Sequence, residues 1–165
     1  MNVRALVLAA AFLAVSASLS AQENETEEPI GYSNVTEFGL LTASPMGVSL
    51  EGTTAHGFSI NKQHHFGFGT GIGVNFSTNH SAVTYMPIFL NYRVYFKPEK
   101  TFSPQFNIAL GGLVTQNGFG AYSSVTMGFR AGKFSFSSGL SCMPINDWFG
   151  WAFPLGITLK WGFAF

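Results

Sequence analysis

Residues 154–165 read PLGITLKWGFAF and carry the pattern that decides the fold. Every odd-numbered position from Leu155 to Phe165 is a large apolar residue, whereas the even-numbered positions from Gly156 to Ala164 hold glycine, alanine, threonine or lysine. Successive side chains of a β-strand point to opposite faces. The segment is therefore predicted to be a strand with one bulky apolar face and one small or polar face.

The small face predicts which side of this strand is enclosed. A barrel of eight strands has an interior just wide enough to be filled by side chains, so glycine and short polar residues fit inside it. The large face, which carries Trp161 and Phe163, is then directed outward to lipid.

The same alternation recurs upstream, most clearly where Phe66 and Phe68 alternate with glycines. An even number of antiparallel strands is typical of bacterial single-chain barrels. The sequence thus predicts an all-β fold, an eight-stranded antiparallel up-and-down transmembrane β-barrel. The predicted strands span residues 33–42, 48–60, 66–76, 82–96, 104–115, 122–131, 133–142 and 154–165.

Three features interrupt this simple pattern. Thr54 and His56 fall on the lipid side of the second strand, and a bulge or register shift is expected to correct this. His64 and His65 are predicted to lie in an inner turn at 61–65. The glycines that follow resemble fragments of a dinucleotide-binding loop, but no helical pattern comes after them, so they are predicted to face the barrel interior.

The composition fits a membrane barrel better than a soluble domain. Hydrophobic residues make up 47% of the 165 residues and charged residues only 10%, against about 25% charged residues in soluble domains. Beyond the N-terminal segment, no run approaches the roughly 20 apolar residues of a membrane helix. The net charge is zero and no basic run indicates nucleic acid as a partner. The single cysteine excludes an intramolecular disulfide, and no metal or cofactor site is predicted.

The chain divides into three predicted segments. Residues 1–21 combine a basic start, a short apolar stretch and small residues, which is the pattern of a cleaved secretory signal peptide. Residues 22–30 are acidic and predicted to be flexible. Residues 31–165 are predicted to form the barrel, located in a bacterial outer membrane.

Several of these segments resemble a family of small outer-membrane β-barrel proteins common in Bacteroidetes. The resembling stretches are GYSNVTEFGL (31–40), HHFGFGTGIGV (64–74), YMPIFLNYRVYF (85–96), TFSPQFNIALGG (101–112) and LGITLKWGFAF (155–165). The resemblance implies an eight-stranded barrel and an outer-membrane location. The alternation through Trp161, Phe163 and Phe165 also looks like the signal recognised by the barrel-assembly machinery.

Five charged residues fall on inward positions of the predicted strands. Charges within a membrane protein are costly unless they are paired, so these side chains are expected to form an ion-pair network in the lumen. Such a network is similar to the interior of the transmembrane domain of outer membrane protein A. The residues are Glu37, Glu51, Arg93, Arg130 and Lys160.

The function that follows is a structural or membrane-integrity role for a plugged, monomeric barrel in contact with outer-membrane lipid. A small gated diffusion pore and a soluble exported barrel that binds an apolar ligand remain as alternatives. A lipid A-modifying enzyme is a further alternative, for which Asn79, His80 and Ser81 are the only candidates, with Asp147 possible as the acid. Their spacing does not match a nucleophile–base pair, so no catalytic residue is predicted.

Overall fold

The computed structural model describes residues 30–44, 47–76, 82–116, 118–147, 150–152 and 154–165. Eight long strands in these ranges close into an antiparallel barrel, which confirms the predicted fold class. The strands are β1 (Ile30–Ser44), β2 (Gly47–Ile60), β3 (His64–Phe76), β4 (Val83–Tyr95), β5 (Phe102–Thr115), β6 (Gly118–Ala131), β7 (Phe134–Cys142), β8 (Ile145–Asp147), β9 (Gly150–Ala152) and β10 (Leu155–Ala164).

Each long strand pairs with the next one along the chain, and β10 returns to pair with β1. At this seam Asn34 and Phe165 exchange two backbone hydrogen bonds, of 2.8 and 2.7 Å. The short strands β8 and β9 form a hairpin that lies between β7 and β10 in the chain and joins β6 through Gly120. The barrel therefore has no free edge along its eight long strands.

The strands are staggered around the barrel. Asn34 on β1 is hydrogen-bonded to Phe165 on the adjacent β10. If one instead starts at Asn34 and moves from each residue to its partner on the next strand, through β2 to β7, the path reaches β10 at Leu155. The displacement of ten residues, from 165 to 155, corresponds to a strand tilt of about 40°. The path runs through His56, Phe68, Leu90, Leu110, Ser123 and Cys142.

The two faces of the barrel are chemically opposite. Along β10 the odd-numbered residues up to Phe163 are exposed and the even-numbered ones are buried, as the alternation predicts. The other strands likewise expose large apolar side chains outward, such as Phe68 and Leu90, and bury polar ones inward. In the described part of the chain, no helix is long and apolar enough to cross a membrane.

Most strand boundaries differ from the prediction by one to three residues and the start of β6 by four; the starts of β3 and β6 change the turns. The inner turn spans only residues 61–63, because His64 and His65 pair with Val94 and Arg93 as part of β3. The strand β6 starts at Gly118 rather than 122, so the outer loop expected at 116–121 is shorter. Small residues around Phe119 left too few apolar positions for the alternation to be visible there.

The turn after β2 is tight. Asn61 and Lys62 both adopt the left-handed backbone conformation, with φ of 52° and 55°, and the amide of Gln63 donates to the carbonyl of Ile60 at 3.0 Å. Consecutive left-handed residues fit the twist of a two-stranded hairpin, and asparagine tolerates this conformation well.

The prediction of a bulge or register shift in the second strand is wrong. The pairing of β1 with β2 runs without a break from Ile30 opposite Ile60 to Ala43 opposite Gly47. Thr54 and His56 therefore remain on the outer face. Their polar groups are accommodated by hydrogen bonds to β1 instead of by a change of register.

The close approach of β10 to β1 gives a test of the packing. A Cβ added to Gly162 would overlap the carbonyl oxygen of Thr36, whereas the nearest atom to a Cβ at Gly112 lies 3.8 Å away. Gly162→Ala is expected to prevent barrel closure, and Gly112→Ala to leave it intact. The fraction of folded, heat-modifiable protein on a gel measures this, and equal folded fractions would contradict the structure.

Candidate functional site

The barrel interior is the candidate functional site, and an ion pair lies in it between β10 and β2. The Nζ atom of Lys160 is 2.9 Å from Oε1 of Glu51, and both side chains are almost fully buried. The hydroxyl groups of Tyr122 and Tyr85 donate to the same carboxylate at 3.1 and 3.3 Å. Lys160 also donates to the Tyr122 oxygen at 2.9 Å. Four strands are thus connected through one carboxylate.

A second ion pair lies nearer the chain termini. Nη2 of Arg93 on β4 is 2.8 Å from Oε1 of Glu37 on β1. Ser135 donates to Glu37 at 3.4 Å, and Arg93 donates to Gln105 at 3.4 Å. This pair connects β1, β4, β5 and β7 across the lumen. Its charges are opposite and its hydrogen-bonding groups largely satisfied, as burial requires.

Arg130 lies apart from these two pairs. Its Nη2 donates to the carbonyl of Pro98 at 3.0 Å, and its guanidinium carbon lies 4.4 Å from the centre of the Tyr95 ring. Among the described residues it has no carboxylate partner within ion-pair distance. The five charges predicted to form one network therefore form two separate pairs and a cation near the end of β6.

Inward glycines make room for the large inward side chains. Gly39, Gly69 and Gly73 are the register partners of Glu51, Phe89 and Tyr85, respectively. A Cβ at any of these glycines would contact or overlap the side chain of its partner. Gly69 and Gly73 of β3 therefore have a packing role, because each one leaves space for a bulky residue on β4.

The half of the lumen away from the termini is filled by apolar and aromatic side chains. These residues are almost completely buried and contact the Glu51–Lys160 pair through the two tyrosines. In particular, the Phe89 and Tyr122 rings have centroids 5.3 Å apart. The buried set comprises Leu41, Ala55, Tyr85, Phe89, Ala109, Leu113, Tyr122 and Met143.

The half nearer the termini is polar and contains His65, which the sequence placed in a turn. His65 is completely buried, lies opposite Arg93, and neither ring nitrogen has a hydrogen-bond partner in the described part of the protein. The Ser137 hydroxyl and Nε of Arg93 likewise have no hydrogen-bond partner among the described residues. Buried polar groups of this kind are normally satisfied by internal water. The alternation of His65 with Gly67 and Gly69 was the signal that places it inside.

Metal-binding residues do not cluster in the described ranges. No three His, Cys, Asp or Glu residues there converge in a geometry that holds a metal ion. Asn79, His80 and Ser81 lie outside the described residues, as do the predicted signal peptide and the acidic segment up to residue 29.

The fold is shared with known outer-membrane barrels. The chain superposes on the N-terminal β-barrel domain of OprF from Pseudomonas aeruginosa with a TM-score of 0.52 at 12% identity, covering 81% of this chain and 97% of that domain. Neisserial surface protein A gives a TM-score of 0.53 at 11% identity, covering 83% and 96%. The chain has the fold of an eight-stranded outer-membrane barrel.

The resemblance to small barrels of Bacteroidetes remains a prediction. No protein-family model matches the chain, and no curated protein matches it. At 11–12% identity, the two solved structures establish the architecture and nothing finer.

Removal of one partner of the buried Glu51–Lys160 pair gives a test of the interior. Glu51→Gln is expected to destabilise the barrel by about 3–5 kcal/mol, because Lys160 would remain charged and buried without a carboxylate. The double variant Glu51→Gln/Lys160→Met should be clearly more stable than the single one. Urea unfolding of the barrel in lipid vesicles measures both, and a double variant no more stable than the single would contradict the assigned pairing.

Proposed function

We propose that the chain is an integral outer-membrane barrel with a structural, membrane-integrity role and a lumen closed by side chains. The observation that carries the proposal is the inverted distribution of its side chains. Large apolar residues such as Phe68 and Leu90 are exposed on the outside, while Arg93, Lys160 and other polar residues are buried inside. A soluble barrel would have the opposite arrangement, whereas a lipid environment stabilises this one.

The closed lumen is supported by the size of what fills it. Tyr85, Phe89 and Tyr122 extend into an interior that eight strands make narrow, and hydrogen bonds hold the two tyrosines to Glu51. The ion pairs then act as cross-links between strands that are not neighbours in the sheet, β2 with β10 and β1 with β4. Neither arrangement provides the reactive group of an enzyme, so the proposal assigns no catalytic residue.

Biogenesis fits the same proposal. The predicted signal peptide at residues 1–21 would direct export, and the barrel-assembly machinery would recognise the outward aromatic residues of the last strand. Trp161 and Phe163 are exposed on this strand, and Phe165 closes the seam with β1. The proposed partners are therefore the assembly machinery and outer-membrane lipid, with the barrel functioning as a monomer.

Fractionation of cells that express the full chain tests the membrane proposal. The protein is expected in the outer-membrane fraction, to require detergent for extraction, and to migrate faster on a gel before boiling than after it. A barrel that stays monomeric and folded in buffer without detergent would instead support the soluble ligand-binding alternative. Gly112→Ala, which meets no close contact, serves as a matched control for the effect of substitution on yield.

A narrow gated pore is the second candidate, because buried polar side chains such as His65, Arg93 and Gln105 line half of the lumen. Planar-bilayer recording distinguishes the plugged barrel from the gated pore. The plugged barrel is expected to show no stable conductance, and Arg93→Ala to remain silent because Phe89, Tyr85 and Tyr122 still close the other half. Discrete conductance in the native protein that rises in Arg93→Ala would favour the pore.

A further inference from the structure

A cluster of five polar side chains lies on the outer face of β1 and β2, which elsewhere carries mainly large apolar residues. We call it the seam cluster, because it adjoins the junction of β1 with β10. All its members are hydrogen-bonded to one another. The seam cluster consists of Tyr32, Asn34, Thr36, Thr54 and His56.

The seam cluster forms a shallow depression with a polar floor. The Asn34 side chain is 0% exposed and Thr54 7% exposed, while Tyr32 is 57% exposed and Thr36 and His56 reach the surface in part. Exposed aromatic residues such as Phe38 and Phe58 stand around it. The depression therefore presents a connected group of hydrogen-bonding side chains to the outside, among exposed aromatic residues.

The seam cluster lies close to the end of the barrel that holds the chain termini. Asn34 is level with Phe165, and Thr36 pairs with Phe163. With the termini on the periplasmic side, as in barrels of this type, this depth corresponds to the boundary between the acyl chains and the polar region of the inner leaflet. Polar groups buried deeper in hydrocarbon would be far more costly.

A catalytic role is the first alternative, since Thr54, His56 and Asn34 have the order of a nucleophile, base and orienting residue. Thr54 Oγ1 lies 3.1 Å from His56 Nε2, and Asn34 Nδ2 lies 3.2 Å from His56 Nδ1. The Asn34 amide nitrogen can only donate, so Nδ1 of His56 accepts in this arrangement and the ring hydrogen is on Nε2. His56 is then unable to take a proton from Thr54, and the triad reading fails.

Two possible donors face one acceptor, Nδ1 of His56, so one of them has no lone pair to donate to. A neutral ring nitrogen has one lone pair, yet both Tyr32 and Asn34 approach Nδ1 of His56. The Tyr32 oxygen lies 2.5 Å from Nδ1 and the Asn34 nitrogen 3.2 Å, so either group can donate to the lone pair. Asn34 is buried and Tyr32 is exposed, so the Tyr32 hydroxyl is the one that can turn outward while Asn34 keeps its bond. The seam cluster can therefore offer a hydrogen to an oxygen acceptor outside the barrel without leaving His56 unsatisfied.

Basic residues flank the seam cluster at the same end of the barrel. Lys62 is in the turn that follows β2, and Lys133 lies with its Nζ 5.2 Å from the centre of the Phe165 ring. Both lysines are exposed. Their positive charge, next to hydroxyl donors, is complementary to a ligand that carries phosphate and ester oxygens.

We propose that the seam cluster is a binding site for one phospholipid of the inner leaflet. The ester or phosphate oxygens accept from Tyr32, and from Thr36 when its hydroxyl turns away from Asn34 Oδ1, to which Thr54 also donates. The phosphate lies toward Lys62 and Lys133. The proposal rests on the membrane location proposed above. A second copy of this chain fits less well, because bulky exposed residues such as Phe38 and Leu50 continue along β1 and β2 and prevent close approach of two barrels.

Native mass spectrometry of the full chain tests the proposed phospholipid site. The barrel would be released from nanodiscs of phosphatidylethanolamine and phosphatidylglycerol, and retained phospholipid counted for the native protein, Tyr32→Phe and Tyr32→Phe/Thr36→Val. The matched control is Thr70→Val, because Thr70 is also exposed on the outer face, pairs with Thr54, and donates outside the seam cluster to the Pro87 carbonyl at 3.1 Å.

The native protein and Thr70→Val are expected to retain one phospholipid, and Tyr32→Phe to bind it about fivefold more weakly, as the loss of one hydrogen bond implies. Equal retention in all four proteins would overturn the proposal, and so would a dimer that Tyr32→Phe abolishes. Tyr32→Phe removes the bond of an exposed tyrosine to His56 Nδ1, which keeps its bond to Asn34, so folding is expected to be preserved. Heat-modifiable mobility of each variant reports insertion separately, so a failure of the membrane proposal is distinguishable from a failure of this site.

Discussion

The narrow interior is the constraint on which the rest of the structure depends. Eight strands enclose a narrow space, so large inward side chains fit only where small residues lie beside them. A glycine therefore stands opposite each of three bulky inward residues, as Gly39 does for Glu51 and Gly73 for Tyr85. The same confinement brings Glu51, Tyr122 and Lys160 within hydrogen-bond distance, although they are far apart in sequence.

Burial in this space makes the charges depend on one another. Glu51 is stabilised only while Lys160 and the tyrosines surround it, and Arg93 only beside Glu37. The two pairs join different strands, so each holds a separate part of the barrel. Arg130, at the end of the lumen, makes contacts with Pro98 and Tyr95 that need no carboxylate.

The sequence predicted the strands and their faces because period-two alternation is a local property. It identified all five inward charges, but the pairing of Lys160 with Glu51 depends on stagger and side-chain reach, which no local pattern contains. His65 was misplaced because a polar pair beside Lys62 resembles a turn. Thr54 and His56 were expected to need a bulge, because their hydrogen-bond partners on β1 become neighbours only when the sheet forms.

The pairing of β1 with β10 has a consequence for folding. Its contacts join Asn34 to Phe165, so they span nearly the whole described chain. Such non-local pairing forms slowly, and until it forms both end strands expose unpaired backbone groups that other chains can add to. The time before closure is therefore the period of greatest aggregation risk, and shielding of β1 and β10 would matter most then.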